Sequence, residues 1–274
     1  MKIGFIGTGN MGGAILKGYA RSDASKGNEI LIHNRSTERN EHMAAAMTQM
    51  TGTKIRICND NRQLAEEADI IIIGVKPKDV EQVLKEITPA KEKIIVSMAA
   101  GVSISRMEKA MGRSGAFAKV IRIMPNTPAQ VGEAMTSMSR NTNVSDGEFE
   151  DAKAIFTSVG KCEEVEESMI DCVIGVSGSS TAYTFMYIEA LVQAACANGM
   201  EEEKARAFAA QSVLGAAKMA LESSESLEQL RINVCSPGGT TIEAVNTLFA
   251  NGFMVDVKEG FQAAVDRSKE MTKE

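Results

Sequence analysis

Residues 2–15, KIGFIGTGNMGGAI, constrain what this chain can fold into more than any other stretch. A short apolar run, residues 3–6, leads into Gly7, Gly9 and Gly12, and residues 10–15 read as a helix start. In a G-x-G-x-x-G turn each glycine has its own reason. Gly7 permits a tight turn off a strand end. Gly9, lacking a Cβ, lets a pyrophosphate reach the backbone. Gly12 lets helix and strand pack closely. The helix start adds unpaired N–H groups and the positive end of a dipole. Glycine-rich turns are common, so the spacing alone is a weak signal. Here a strand precedes it, a helix follows, and a second apolar run comes about twenty residues on, a context that favours a dinucleotide site over a structural turn.

The rest of the first half repeats that alternation. Apolar runs at residues 3–6, 30–33, 55–58, 70–75, 94–98 and 120–124 are separated by helical stretches near 11–20, 38–47, 62–67, 80–86 and 105–111. This pattern predicts an α/β fold with a doubly wound parallel sheet and helices on both faces. Residues 70–73 are four isoleucines in a row, as in a central strand covered on both sides. Residues 141–147 read as a loop, 148–157 as a helix and 161–165 as a last strand. Beyond Ser168 no strand is convincing, and helices are expected at 182–197, 202–221, 226–232, 241–250 and 257–271. The chain therefore divides into a nucleotide-binding domain, residues 1–163, and an all-α domain, residues 164–274. Helix 182–197 is apolar or small nearly all round apart from Glu189, which predicts burial, under a partner chain or within one chain.

Strand ends carry the candidate chemistry, because ligands in such sheets lie beyond the carboxyl ends of strands. The second strand ends in His33-Asn34-Arg35-Ser36. An NAD site usually places Asp or Glu here. Asn34, followed by a cation and the hydroxyls of Ser36 and Thr37, suits a 2′-phosphate instead, so NADP(H) is expected. The alternative is that Arg35 is a solvated surface charge. Lys76, ahead of Pro77, is directed toward the cofactor, and the small residues 99–101 let backbone approach a ring. Met124-Pro125-Asn126-Thr127-Pro128 makes a rigid loop at the same edge. Glu163, Glu164, Glu166 and Glu167 read as a solvated linker. Further on, residues 233–243 read NVCSPGGTTIE. Thr240 and Glu243 have capping-box spacing, predicting a helix from about Thr241. The glycines in front leave N–H groups open to a small anion such as a carboxylate. A plain capped helix accounts for this stretch equally well.

Composition excludes several classes. With 274 residues, 44% hydrophobic, a sizeable core can be buried. A net charge of −6 argues against nucleic acid. No signal peptide and no membrane span are read, and a cytoplasmic protein is expected. Five cysteines without a C-x-x-C pair read as reduced buried thiols. His33 and His42, the only histidines, make no zinc cluster with them, so no metal is expected. No histidine follows His42, and no lysine lies between Lys161 and Lys204. Alcohol dehydrogenases need a general base, commonly one of these. An imine nitrogen carries the proton itself or takes it from a hydroxyl or water. With Ser236, Thr240 and Thr241 in the helical half, imine reduction fits better than alcohol oxidation.

On these residues the chain closely resembles the pyrroline-5-carboxylate reductase family, which catalyses the last step of proline biosynthesis. The resemblance runs from end to end through GFIGTGNMGGAI, VKP at 75–77, AAG at 99–101, MPNTP at 124–128 and VSGS at 176–179. Its most specific piece is SPGGTT at 236–241. It implies an oxidoreductase that reduces 1-pyrroline-5-carboxylate to L-proline with NADPH, NADH being the alternative donor. It also implies a Rossmann domain, a helical domain that interlocks with a second subunit as a homodimer, and rings of such dimers. The implied cofactor positions are Gly7, Gly9, Asn10, Met11, Asn34, Arg35, Ser36, Asn61, Val75, Lys76, Pro77, Ala100 and Asn233, to which the glycine spacing adds Gly12. The implied substrate positions are Glu167, Gly238, Gly239, Thr240 and Thr241. Thr241 is the expected catalytic residue, its hydroxyl beside the imine nitrogen. One departure is Ser180-Thr181, where the family usually has Gly-Pro; Thr181 is expected to cap the helix in place of that proline. Two rivals remain: a β-hydroxyacid dehydrogenase, which needs a lysine on the long buried helix, and a non-catalytic NADP(H) sensor, against which the complete SPGGTT and VKP motifs count.

Overall fold

The computed structural model describes residues 1–53, 55–87 and 92–273. It consists of two compact units. The first is Met1–Gly178 with the chain from Ala264 onward, and the second is Ser179–Ala263. The boundary expected at 163/164 falls one residue inside the end of the last strand, Gly160–Glu164, whereas the compact division comes at Gly178/Ser179 and returns the chain end to the first unit.

The first unit is built on strands β1 (Lys2–Ile6), β2 (Glu29–His33), β3 (Ile55–Ile57), β4 (Ile70–Ile73), β5 (Ile94–Ser97), β6 (Lys119–Met124), β7 (Ala134–Arg140) and β8 (Gly160–Glu164). They form one sheet in the order β3-β2-β1-β4-β5-β6-β7-β8. Helices α1 (Asn10–Arg21), α2 (Thr37–Thr51), α3 (Asn61–Glu67), α4 (Pro77–Ile87), α5 (Ile104–Ala110) and α6 (Asp146–Thr157) connect them. Side chains alternate along β4: Ile70 and Ile72 join one core with Ile15, Leu16 and Tyr19 of α1, while Ile71 and Ile73 join the other with Val80 and Leu84 of α4. Val80, Val83, Leu84 and Ile87 recur at helical spacing, which fixes the buried face of α4. The order reverses between β1 and β4, which opens a crevice at their carboxyl ends.

The sheet departs from the fully parallel expectation at β7, which runs antiparallel to β6; β8 then pairs parallel with β7. β7 reads AMTSMSR, and its hydroxyls disguise a strand. Thr136, Ser137 and Ser139 are buried, and Ser139 Oγ donates to Val165 O at 2.6 Å.

A short helix, α7 (Ile170–Val173), and a wide π-turn, Ile174–Gly178, end the first stretch of that unit. Then follow α8 (Ser180–Ala197), α9 (Glu202–Glu222), α10 (Leu227–Val234), α11 (Thr240–Ala250) and α12 (Phe253–Lys273). Ser268, near the end of α12, is buried in the first unit and donates to Asp171 Oδ1 at 2.6 Å. In the second unit only Ala205 and Ala209 are buried among the described residues. No residue of α8 is buried, and Phe185, Met186 and Tyr187 are exposed. Burial of this helix within one chain is thus ruled out, and so large an exposed apolar surface marks an interface. Thr181 does not cap α8. The backbone is already helical at Ser179, with no side-chain cap, so Thr181 falls inside the first turn. Of the five cysteines, Cys58 and Cys162 are buried, while Cys172, Cys196 and Cys235 are only partly so. Among the described residues, no helix is long and apolar enough to cross a membrane.

Candidate active site

The turn after β1 has the geometry its glycines require. Gly7 sits at φ +88°, and a Cβ there would lie 3.0 Å from the Gly74 carbonyl. A Cβ on Gly12 would lie 2.5 Å from the Gly7 oxygen. Gly9 is different: a Cβ there meets nothing within 4 Å. Two glycines therefore serve the fold and the third faces open space, the cradle a dinucleotide pyrophosphate needs. Gly9 is also the N-cap of α1 and gives no side-chain hydrogen bond, which leaves the N–H groups of Asn10, Met11 and Gly12 for a ligand.

Asn34 supports this turn from beneath. Its Oδ1 accepts from Thr8 N at 2.7 Å, and its Nδ2 donates to Thr8 Oγ1 and Asn40 Oδ1, both at 2.8 Å. The buried amide is spent on protein partners, so Asn34 positions the glycine loop. Ser36 caps α2, accepting from Arg39 N at 3.3 Å. Arg35 is largely exposed but not free: its Nη2 donates to Asp79 Oδ2 at 2.8 Å. Asp79 lies in the first turn of α4, beside Val75, Lys76 and Pro77. Asn61 opens α3. Its Nδ2 donates to Glu86 Oε2 at 2.7 Å, while its buried Oδ1 has no partner among the described residues. Hydrogen bonds from Gln82 and Asn61 hold the Glu86 carboxyl below its ordinary range.

Beyond β5, Ala99 and Ala100 lead to Gly101 at φ +74°, where a Cβ would lie 3.0 Å from Met271 O. Asn126 ties the loop after β6 to its surroundings, accepting from Met135 N at 2.9 Å and donating to Ser177 at 3.2 Å. Glu167 lies in this unit as well. Its Oε1 accepts from Ile104 N at 2.8 Å and from Arg122 Nη1 at 3.0 Å. The Arg122 guanidinium is buried, and its Nε and Nη2 have no partner among the described residues. Reading 163–167 as a solvated linker is therefore corrected at Glu167, which pairs a buried cation and holds the start of α5. Arg122 and Asp79 carried no local signal, because their partners lie 45 and 44 residues away.

The second unit carries the other candidate residues. Between α10 and α11, Gly238 has φ +68° and Gly239 N donates to Ser236 O at 3.0 Å. The helix begins at Thr240, one residue earlier than expected. Gly239 is its N-cap, with no side-chain cap. The predicted capping box is absent because Thr240 lies inside the helix, out of cap register with Glu243. The N–H groups of Thr240 and Thr241 are left open, while that of Gly239 is taken by the turn. Thr241 is partly buried. Asn233 accepts from Gln229 at 2.8 Å and donates to Glu225 at 2.9 Å, and Arg231 lies 5.0 Å over the Phe249 ring. The Asn233 bonds fix the end of α10, and the Arg231–Phe249 contact ties α10 to α11 across the turn.

A crevice at the switch point of a doubly wound sheet, with an open glycine over an uncapped helix, defines a dinucleotide-dependent oxidoreductase. A family model described as pyrroline-5-carboxylate reductase dimerisation matches residues 167–271, and one described as NADP oxidoreductase, coenzyme F420-dependent, matches residues 2–101. The pyrroline-5-carboxylate reductase of Escherichia coli is 43% identical over 274 residues, covering 99% of this chain and 98% of its own. The solved structure of the Coxiella burnetii pyrroline-5-carboxylate reductase superposes with a TM-score of 0.88 at 35% identity, over 99% and 98% of the two chains. That of the Plasmodium falciparum pyrroline carboxylate reductase, with NADP bound, does so with 0.85 at 30% identity, over 99% and 98%. The chain belongs to the pyrroline-5-carboxylate reductase family.

Proposed function

We infer that the protein reduces 1-pyrroline-5-carboxylate to L-proline with NADPH, the last step of proline biosynthesis. The observation that carries this reading is the SPGGTT turn, two glycines and an uncapped helix start, in a chain 43% identical end to end to a reductase of that name. When bound, NADPH supplies the hydride that the C=N carbon receives. The chain's own residues hold and orient. Open N–H groups at Asn10, Met11 and Gly12 take the pyrophosphate over Gly9. Arg35 and Ser36 take the 2′-phosphate, with Asp79 giving up or sharing its hold on the guanidinium. Asn61 Oδ1 accepts from the adenosine side. Val75, Lys76 and Pro77 line the crevice, and Ala100 lets backbone approach the nicotinamide. Asn34 and Asn233 act through the protein, bracing the glycine loop and the SPGGTT turn.

The substrate carboxylate is held by the N–H groups of Thr240 and Thr241, where the helix start supplies positive potential without a side-chain cation. Gly238 and Gly239 give clearance. Thr241 places its hydroxyl beside the ring nitrogen, donating a proton to it or holding the protonated imine. Glu167 acts on the protein side, through Arg122 and α5. Two copies pair through the exposed apolar faces of the second unit, such dimers join into rings, and the enzyme works in the cytoplasm. The test is NADPH consumption with 1-pyrroline-5-carboxylate, run beside oxidation of a 3-hydroxy acid with NADP⁺. Turnover in the first assay alone is expected. Tight NADPH binding with no proline formed would make the protein a sensor and overturn the reading.

A further inference from the structure

The first unit has another concave feature, which the reductase reaction uses only at its Gly9–Asn10 end. It is a cleft of about 830 Å³ on the α1–α2 face of the sheet, closed on its far side by the turn Thr127–Val131 with Gly132 and by Ser158 and Val159. That volume lies within the roughly 300–1,000 Å³ of small-molecule sites. Small residues of α1 leave the floor open: Gly13, Ala14 and Gly18. Only Thr8, Gly9 and Asn10, at one end, are shared with the glycine turn. Asn61, Lys76 and Ala100 do not line the cleft.

Its charge is one-sided. Lys17 and Arg21, one turn apart on α1, and Arg39 and His42, one turn apart on α2, all line it, and among the described residues no carboxylate does. Among the described residues, the side chains of Lys17 and Arg39 have no ion pair or hydrogen bond. Arg21 makes only a weak contact with Met50 Sδ at 3.8 Å. On a chain of net charge −6, three unbridged cations converging on one cavity with no anion opposite them suit a phosphate. Beside the rim the wall is apolar: Met43 and Val159 are buried, and Val131 is 76% exposed with no apolar cover.

We propose that this cleft is a second binding site, separate from the dinucleotide crevice, for a phosphorylated ligand of mononucleotide size. Its phosphates sit among Lys17, Arg21 and Arg39, and its ring lies on Met43 and Val131. Calorimetric titration of the full-length protein with ADP, in saturating NADP⁺ to fill the dinucleotide crevice, tests this. ADP is expected to bind, and more tightly than inorganic pyrophosphate, because only ADP reaches the apolar wall. In Lys17→Ala/Arg21→Ala, ADP affinity should fall at least tenfold, two charge-assisted bonds being lost, with the KM for NADPH unchanged. Absence of ADP binding in saturating NADP⁺, affinity equal to that of pyrophosphate, or binding untouched in the double variant would each overturn the proposal.

Discussion

Replacing Glu167 by alanine separates a structural role from a substrate role. The Arg122 side chain is 4% exposed, and among the described residues its one partner is Glu167 Oε1 at 3.0 Å, its Nε and Nη2 being already unpaired. Removing the carboxylate leaves a buried guanidinium with no counter-charge and takes the acceptor from Ile104 N. Breaking a buried pair from one side costs about 3–5 kcal/mol. At about 2–4 °C per kcal/mol for a domain of this size, melting should fall on the order of 10 °C. Glu167→Gln, which keeps an acceptor oxygen but not the charge, should fall by less. Arg122→Met/Glu167→Leu removes the charge as well as its partner and should recover most of the loss. Thermal unfolding followed by circular dichroism reads all three, alongside the KM for 1-pyrroline-5-carboxylate measured below the transition. Unchanged melting with a KM raised tenfold or more would refute the reasoning and make Glu167 a substrate ligand.

Four further outcomes follow from the same geometry. Gly9→Ala should melt like the parent but bind NADPH weakly. Gly12→Ala, whose Cβ would lie 2.5 Å from backbone oxygen, should lose stability itself; equal melting losses in both would contradict the assigned roles. Arg35→Ala should raise the NADPH KM roughly ten- to a hundred-fold and leave that for NADH nearly unchanged, whereas Asp79→Asn, which frees Arg35, should lower the NADPH KM. Thr241→Val should cut kcat by roughly 10²–10⁴-fold if the hydroxyl is the acid; an unchanged kcat and KM across pH would move the role to Ser179, Ser236 or water. The hydrogen bond from Arg56 holds the Glu67 carboxyl down at about 2 from an ordinary 4.5. A depressed carboxyl stabilises the fold above its unfolded value and loses that contribution as pH falls toward the folded one. Urea unfolding between pH 5 and pH 2 should thus show a shallower acid loss in Glu67→Gln than in the parent.

Local patterns made the nucleotide half legible. The glycines name their own turn because each removes a Cβ that backbone or ligand would meet, and the four isoleucines of β4 mark a strand covered twice. β7 left no apolar run to read, because Thr136, Ser137 and Ser139 interrupt it, although β6 and β8 supply their pairing. Capping spacing misled at Thr240, since Gly239 takes the cap without a side chain, and at Thr181, since the helix has already begun. At the site, residue identities were visible but their partners were not. Asn34 stands where a cofactor contact is expected, and its hold on Thr8 has no counterpart in the spacing. Arg35 was read without Asp79, and Glu167 without Arg122, since pairings across more than forty residues leave no trace in spacing. The apolar α8 was legible as an interface for the opposite reason: a helix without a polar face needs cover wherever it comes from.

The most direct test of the central claim follows the hydride. The protein is turned over with 1-pyrroline-5-carboxylate and NADPH carrying deuterium at both C4 positions of the nicotinamide, and the proline is examined by mass spectrometry. One deuterium on the ring carbon next to nitrogen is predicted, in step with NADPH consumed. Proline without deuterium, or NADPH consumed without proline, would contradict hydride transfer to the imine carbon.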